Sequence, residues 1–190
     1  MQNLYFWGCG KIMSPVSNYY FRIKLPQDEA INRLCKWMGK KPKEVIETSL
    51  SNAFSSAGEN GYSKGKAVYV YHNAGWTVFE DLSEDFSYLY ANISADDWLQ
   101  FAGKDSLIAA GYEYGLVSAE LIVIENNTII REFFELGDRP EEFRNIGIAP
   151  FEREKPIKSW VDIISFIDND DIVFSDNGTV LIFSYANEEI

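Results

Sequence analysis

Residues 107–134 contain three apolar segments: Leu107-Ile108-Ala109-Ala110-Gly111-Tyr112, Ala119-Glu120-Leu121-Ile122-Val123-Ile124 and Ile129-Ile130-Arg131-Glu132-Phe133-Phe134. Together they form the most apolar part of the chain and the part richest in β-branched residues. Such residues pack well on the pleated surface of a sheet. We therefore expect the three segments to form the central strands of an antiparallel sheet.

The Asn126-Asn127 pair between the second and third segments predicts a tight turn. Asparagine tolerates positive φ better than other residues that carry a Cβ, so the pair suits a two-residue type I′ turn. This turn predicts three facing pairs among others: Ile124 with Ile129, Val123 with Ile130, and Glu120 with Phe133.

This register predicts a sheet with two largely apolar faces. One face carries Val123, Ile130, Leu121, Ala119 and Phe134, and the other carries Ile124, Ile129, Ile122 and Phe133. Neither face is purely polar, so we expect both to be covered. Glu120 and Arg131 lie diagonally in this register, within reach of each other. We interpret them as a half-buried structural ion pair, with a charged pair lining a pocket as the alternative.

A second hairpin is predicted at Ala67–Asp81, with Asn73-Ala74-Gly75 as a three-residue turn. That turn places Val70 opposite Val78 and Tyr69 opposite Phe79. It also places His72, the only histidine, opposite Trp76. We expect His72 to be exposed or stacked on the tryptophan, since no second histidine or base accompanies it.

The remaining elements follow from periodicity and capping signals. Ser94 with Asp97, and Ser159 with Asp162, have the spacing of a capping box. Helices are predicted at Asp28–Met38, from Pro42 through Phe54, from Ser94 to Gly103 and from Ser159 through Ile167. Further strands are predicted at Leu4–Cys9, Tyr19–Leu25, Ile172–Ser175 and Val180–Tyr185.

Together these elements predict the α+β class: a mainly antiparallel sheet built from hairpins, with three or four helices packed on it. A chain of 190 residues fits a single domain, 1–190. Its 46% of hydrophobic residues suffices for a core. The segment Gly137–Pro156 has no clear periodicity, and a structureless loop of that length is often functional. The other interpretation is that Phe143 and Phe151 simply pack it against the sheet.

Charge divides the chain into a basic N-terminal third and an acidic core. Residues 1–66, an alternative N-terminal subdomain, hold ten Lys or Arg and five Asp or Glu; residues 67–190 hold seven and twenty-four. The second part therefore carries −17 of charge and the whole chain −12. Such a surface repels phosphate backbones, so we expect no nucleic-acid binding and a basic protein as the partner.

No sequence pattern indicates catalysis or a cofactor. Glu80, Asp81, Glu113, Glu120 and Glu132 are candidates for a carboxylate pair in acid–base chemistry. A chain with 29 acidic residues, however, contains such pairs by chance. No serine-centred motif, Cys–His pair or metal-ligand spacing accompanies them. We therefore expect no enzyme activity, no cofactor and no metal, with a carboxylate-based hydrolase as the lesser alternative.

The sequence also shows no recognisable targeting signal. The first residues lack a basic region followed by an apolar run, so we expect no signal peptide. The longest aliphatic run, Leu121 to Ile124, is too short to cross a bilayer. We expect a cytoplasmic protein that does not enter a membrane. Its oligomeric state cannot be read from the sequence.

The segment Gly75-Trp76-Thr77-Val78-Phe79-Glu80-Asp81-Leu82-Ser83 resembles a family of small, mostly uncharacterised bacterial proteins. The resemblance continues in the segments Ala110–Tyr112, Ala119–Ile124, Arg131–Phe133 and Ser159–Trp160, and it spans residues 67–170. Such proteins are thought to be immunity proteins of polymorphic toxin systems. The resemblance implies a module that binds and occludes a cationic toxin, with a non-catalytic scaffold or adaptor as the alternative. It assigns no functional residue.

The predicted partner-binding surface lies between Ala67 and Gly103, a stretch without Lys or Arg. Its acidic residues would steer a basic partner, and its aromatic residues would anchor the complex. The predicted contact residues are Trp76, Glu80, Asp81, Glu84, Asp85, Tyr88, Tyr90, Asp96 and Asp97.

Overall fold

A computed structural model describes residues 18–59, 62–86, 93–168 and 175–185. Its strands are β1 (Tyr19–Ile23), β2 (Glu44–Thr48), β3 (Gly58–Glu59), β4 (Tyr62–Ser63), β5 (Lys66–Asn73), β6 (Trp76–Asp81), β7 (Leu107–Glu113), β8 (Ser118–Glu125), β9 (Thr128–Glu135), β10 (Arg144–Gly147) and β11 (Gly178–Phe183). Its helices are α1 (Gln27–Met38), α2 (Ala53–Ala57), α3 (Ala95–Ala102) and α4 (Trp160–Asp168). Short 3-10 helices lie at Leu50–Asn52, Pro140–Glu142 and Pro150–Arg153.

Nine of these strands form one sheet in the order β10-β9-β8-β7-β1-β6-β5-β11-β2. Every neighbouring pair in it is antiparallel. The predicted α+β fold is therefore confirmed. The predicted strand Leu4–Cys9 and residues 172–174 of the predicted C-terminal hairpin lie outside the described residues.

Both faces of this sheet are buried, as the two-sided apolar pattern predicts. Helices α1 and α3 cover one face, here called the aromatic face, where Phe21 stacks on Phe79 with ring centroids 4.6 Å apart. Helices α2 and α4 cover the other, here called the tyrosine face, which carries Tyr20, Tyr69 and Tyr71. Two separate cores flank a single sheet, so the strands of its centre are shielded from solvent on both sides.

The capping signals at the helix ends are confirmed. Ser94 and Asp97 form a reciprocal capping box at α3. Asp162 accepts a hydrogen bond from the Ser159 amide (3.0 Å) at the start of α4. Gly39 ends α1 in the left-handed conformation (φ 69°), which glycine adopts without steric cost.

The helix predicted from Pro42 is wrong over most of its length. Residues 44–48 form strand β2, which pairs with β11 at the edge of the sheet. Val45 is exposed and Ile46 packs on the tyrosine face, which is the alternation of a strand. Pairing with β11 favours the β-branched residues here, and only residues 50–57 turn helical.

The β8–β9 register is confirmed next to the turn and wrong beyond it. Asn126 and Asn127 both have positive φ, and Ile124 faces Ile129 as predicted. A bulge then inserts one residue into β9, so that Val123 faces Arg131. Each later side chain of β9 therefore moves to the opposite face. Phe133 packs on the tyrosine face, while Glu120 and Arg131 lie on opposite faces and cannot form the predicted pair.

The observed register of the β5–β6 hairpin also differs by one residue from the predicted register. Its turn has two residues, Ala74 and Gly75, with φ of 50° and 81°, as a type I′ turn requires. Asn73 therefore faces Trp76, and Tyr69 faces Glu80. The predicted three-residue turn is wrong, because Ala74 adopts a positive φ, which alanine rarely does.

His72 faces Thr77 across the hairpin instead of Trp76. Its side chain is exposed, and Nδ1 lies 3.0 Å from Thr77 Oγ1. The exposed position agrees with one of the two roles expected for this residue.

The segment 137–156, which lacks periodicity, is tied to the sheet by a buried ion pair. Arg131 and Glu152 are 1% and 2% exposed, and their Nε and Oε1 atoms are 2.6 Å apart. Arg131 also donates to the carbonyls of Ile146 (3.1 Å) and Ile157 (2.9 Å). Glu152 accepts from the amides of Ala149 and Ile157, both at 3.0 Å. This network holds β10 against β9 and replaces the predicted loop with ordered structure.

Replacing Glu152 by alanine should strongly destabilise the fold, because it leaves the Arg131 charge buried without its carboxylate. Breaking a buried pair in this way costs about 3–5 kcal/mol. The matched control is Glu142→Ala, which removes the solvent-exposed partner of Arg139 at 3.1 Å and should change the free energy of unfolding by less than about 1 kcal/mol. Urea denaturation measures both. Equal stabilities for the two variants would contradict this account of the edge.

Candidate partner-binding surface

The structure does not place the nine predicted contact residues on one surface. Glu80 and Asp81 are each 1% exposed. They lie on β6, a central strand, so successive side chains enter one core or the other. The structure therefore buries these two carboxylates, which the prediction had placed on a contact surface. Tyr88 and Tyr90 lie outside the described residues.

Each buried carboxylate has a structural role instead. The hydroxyl of Tyr71 donates to Glu80 Oε1 (3.1 Å) on the tyrosine face. Asp81 accepts from the Ser83 amide (3.0 Å), the Ser83 hydroxyl (3.2 Å) and the Phe86 amide (2.8 Å). Burial raises the pKa of Asp81 to about 6, although these hydrogen bonds oppose the shift. Asp81 thereby fixes the turn that follows β6.

Trp76 is half-buried, and the cationic side chain of Arg22 already lies over its ring. The Arg22 guanidinium carbon lies 4.9 Å from the centroid of the Trp76 ring. Arg22 itself is buried on the neighbouring strand β1. A cation–π contact of this kind holds the indole against the sheet. Trp76 is thus a poorer anchor for a partner than its sequence position suggests.

Glu84 and Asp85 remain at the surface. Glu84 is exposed, with a positive φ of 63°, and Asp85 is half-buried. The Nζ atom of Lys66, at the start of β5, lies 3.9 Å from Asp85 Oδ1. Residues 67–103 contain no Lys or Arg, but Lys66, which directly precedes them, lies near Asp85 in the fold. An ion pair so accessible to solvent contributes little to stability.

Asp96 and Asp97 begin helix α3. Asp96 is exposed, whereas Asp97 is occupied by the capping box. Its Oδ2 accepts from the Ser94 hydroxyl (2.6 Å) and the Ser94 amide (2.7 Å), and these bonds lower the pKa of Asp97. The Asp97 carboxylate therefore stabilises the helix start, and Asp96 is the freer of the two.

The turn between β7 and β8 is an exposed apolar surface that the predicted contact residues did not include. Tyr114, Leu116 and Val117 are large apolar residues, and all three are exposed. Glu113, the last residue of β7, lies beside them. The signal was a run of apolar residues at a strand break, Tyr114-Gly115-Leu116-Val117, where polar turn residues are usual.

Glu84, Asp85 and Glu113 form one acidic group at this end of the sheet. Partial desolvation raises the pKa of Glu84, and the negative charges of Glu113 and Asp85 raise it further. Glu84 therefore lies within electrostatic reach of both Asp85, the next residue in the chain, and Glu113, at the end of β7. We call Glu84, Asp85 and Glu113, together with the turn residues Tyr114, Leu116 and Val117, the acidic end.

Two hydrogen bonds and a ring contact brace the turn at the acidic end. The Val117 amide donates to the Tyr114 carbonyl (3.3 Å), and the Gly115 amide donates to Glu113 Oε1 (2.9 Å). The Tyr114 ring packs edge-on against Tyr112, with centroids 5.0 Å apart. A turn that is already ordered loses little entropy when it binds a partner.

Three of the carboxylates considered for acid–base chemistry lie apart from one another. Glu80 and Asp81 point to opposite faces of the sheet, and Glu132 pairs with Arg144 at 2.7 Å. Within the described residues, no three Asp, Glu, His or Cys side chains are grouped closely enough to hold a metal ion. In the same part of the chain, every helix is too short or too polar to cross a bilayer.

No protein-family model, curated protein or solved structure matches this chain.

The buried carboxylate of Asp81 should make stability depend on pH. Its pKa, about 6 in the folded protein, exceeds the ordinary value of 3.8. The stabilising contribution of the neutral form is therefore complete below the unfolded pKa and is lost as the pH rises through about 6. Asp81→Asn removes this titration. Between about pH 4 and about pH 6.5, the native protein should lose stability relative to the variant, and the difference should be constant above this range.

Chemical denaturation of both proteins across this pH range measures the effect. All other groups are common to the two proteins, so the difference in unfolding free energy isolates Asp81 whatever the absolute stability of the variant. A difference that does not change with pH would show that Asp81 does not titrate in this range.

Proposed function

We propose that this protein is a non-catalytic binding module that captures a basic protein partner on its acidic end. The observation that carries the proposal is the placement of three clustered carboxylates beside an exposed, ordered apolar turn. Carboxylates provide attraction to a cationic surface, and the turn provides apolar contact area. The proposed partner is a cationic toxin domain, which the protein occludes as an immunity protein.

The charge of the chain supports a cationic partner. The net charge is −12, and residues 67–190 contribute −17 of it. A field of this sign attracts a basic protein from a distance and raises the association rate. The same field repels nucleic acid. At the acidic end, Glu84 presents part of this charge to solvent.

The apolar turn supports tight binding once contact is made. Protein interfaces are held by a few aromatic or apolar anchors that become fully desolvated. Tyr114 offers such an anchor, because it is exposed but its ring is positioned by Tyr112 and by Trp160, whose centroids lie 5.0 and 5.9 Å away. Leu116 and Val117 enlarge the contact area.

The toxin partner is supported by the resemblance of residues 67–170 to bacterial immunity proteins. The gene neighbourhood tests this directly, because an immunity gene accompanies the gene of its toxin. The proposal requires that the adjacent gene encode a basic toxin domain and that co-expression of this protein protect cells from it. A neighbourhood without such a gene, or a failure to protect, would favour a scaffold or adaptor.

Reversing Glu84 and Asp85 to lysine should slow association with that toxin domain. We expect the association rate constant to fall by about tenfold at low salt, the lower end of the range for electrostatic steering. Higher salt should also slow the native protein, since screening acts over about 8 Å at physiological ionic strength. Stopped-flow or biosensor kinetics at two salt concentrations measure both effects.

The matched control reverses Glu141 and Glu154, which are exposed on the segment 137–156. It changes the net charge equally but leaves the acidic end intact. The control should retain most of the native association rate. Equal slowing in both double variants would mean that only the total charge matters and that the acidic end is not the docking site.

Tyr114→Ala tests the anchor. We expect the complex to lose about 2 kcal/mol, mainly through faster dissociation, because interface anchors of this kind dominate affinity. Val161→Ala provides the control, since Val161 is similarly exposed on helix α4. Thermal melting of both free proteins separates lost binding from lost folding. An unchanged dissociation rate in Tyr114→Ala would place the anchor elsewhere.

A further inference from the structure

Among the residues that the structure describes, strand β10 forms one outer edge of the nine-strand sheet. It is the last strand in the sheet order, and all four of its residues are exposed. Within the described residues, only β9 pairs with it. The outward backbone groups of such a strand are a template for another strand.

Two contacts make this edge rigid. The Ile146 carbonyl accepts a hydrogen bond from the buried Arg131 (3.1 Å). At Gly147, where φ is 73°, a Cβ would lie 2.1 Å from the Ile130 carbonyl oxygen, so only glycine permits this close approach to β9. The open edge is therefore an ordered strand instead of a loop that must first fold.

The side chains of this edge are unusually apolar for an exposed strand. Ile146 is 60% exposed and Ile148 is 71% exposed, and Phe143 is exposed just before the strand. The sequence Arg144-Asn145-Ile146-Gly147-Ile148 contains one charged residue, Arg144, and Glu132 pairs with it at 2.7 Å. Proteins usually protect open edges with lysine, proline or inward-pointing charge.

The opposite edge of the sheet shows that protection. Strand β2 carries Glu44 and Glu47, and Lys40, Lys41 and Lys43 precede it. Val45 is its exposed apolar residue, at 62%. The two edges therefore differ in chemistry: charges surround β2, whereas apolar side chains surround β10.

The charge near β10 favours a second copy of this chain as the occupant. Apart from the buried Glu152, residues 137–158 contain five basic and four acidic side chains. This balance gives a cationic partner no net attraction, unlike the acidic end. It also lets two copies approach there without the repulsion that their −12 charges cause elsewhere. A second copy of this chain fits an edge that is apolar and locally neutral.

We propose that two copies pair through β10. The strands would lie antiparallel about a two-fold axis near Ile146, so that each copy contributes the same surface. Two nine-strand sheets would join into one of eighteen strands. Ile146 would meet its counterpart on the aromatic face, and Phe143 and Ile148 would flank the joined strands. Strands β8 and β9 separate β10 from β7, so both acidic ends would stay uncovered.

Sedimentation equilibrium of the full chain tests this proposal. We expect the native protein to form dimers at micromolar concentration. Ile146→Lys places two like charges together in the pair and should raise the dimer dissociation constant by about tenfold or more. Val45→Lys introduces the same charge at a similarly exposed position on the other edge and should leave the constant unchanged. Circular dichroism melting confirms that both variants fold.

A second measurement needs no variant. Hydrogen exchange of the native protein should slow at the amides of residues 144–148 as its concentration rises. A native chain that stays monomeric would overturn the proposal. So would a dimer that Ile146→Lys does not weaken, or one that Val45→Lys weakens equally. None of these outcomes depends on whether the acidic end binds a toxin.

Discussion

Burial of both faces of the central sheet decides where this protein can carry a function. Helices cover the aromatic face and the tyrosine face, so the inner strands offer side chains to solvent only near their ends. Polar groups inside the sheet then find their partners within the protein, as Glu80 Oε1 accepts from the Tyr71 hydroxyl and Asp81 accepts from the Ser83 amide. The available surfaces are the strand ends, such as the acidic end, and the two outer edges.

The buried Arg131–Glu152 pair decides the form of one of those edges. Arginine and carboxylate withdrawn from water require several hydrogen bonds, and backbone groups of residues 146–157 supply them. These hydrogen bonds hold an otherwise aperiodic segment against β9, and part of that segment forms β10. The pair thus anchors the apolar edge at which we propose that a second copy pairs.

The sequence predicted the fold well and its registers less well. The apolar segments 107–112 and 119–124 and the Ser94 capping box act locally, so their patterns were sufficient. The bulge in β9 and the alanine at positive φ in the β5–β6 turn depend on the geometry of the paired strands, which the residue types in the two hairpins do not specify. One residue of shift moves a side chain across the sheet. The predicted contacts were misplaced for a similar reason, since composition cannot tell that β6 is central.

Asp81 shows that a residue misplaced by sequence reasoning can still serve the same surface from inside. Its carboxylate accepts three hydrogen bonds from Ser83 and Phe86, and its burial, which those bonds offset only in part, raises its pKa. Those bonds fix the chain on both sides of Glu84, whose φ of 63° is unfavourable for a residue with a Cβ. The constrained backbone presents Glu84 to solvent beside Asp85 and near Glu113. The buried Asp81 carboxylate therefore helps to position Glu84 and Asp85, so the geometry of the acidic end depends on a residue in the core of the sheet.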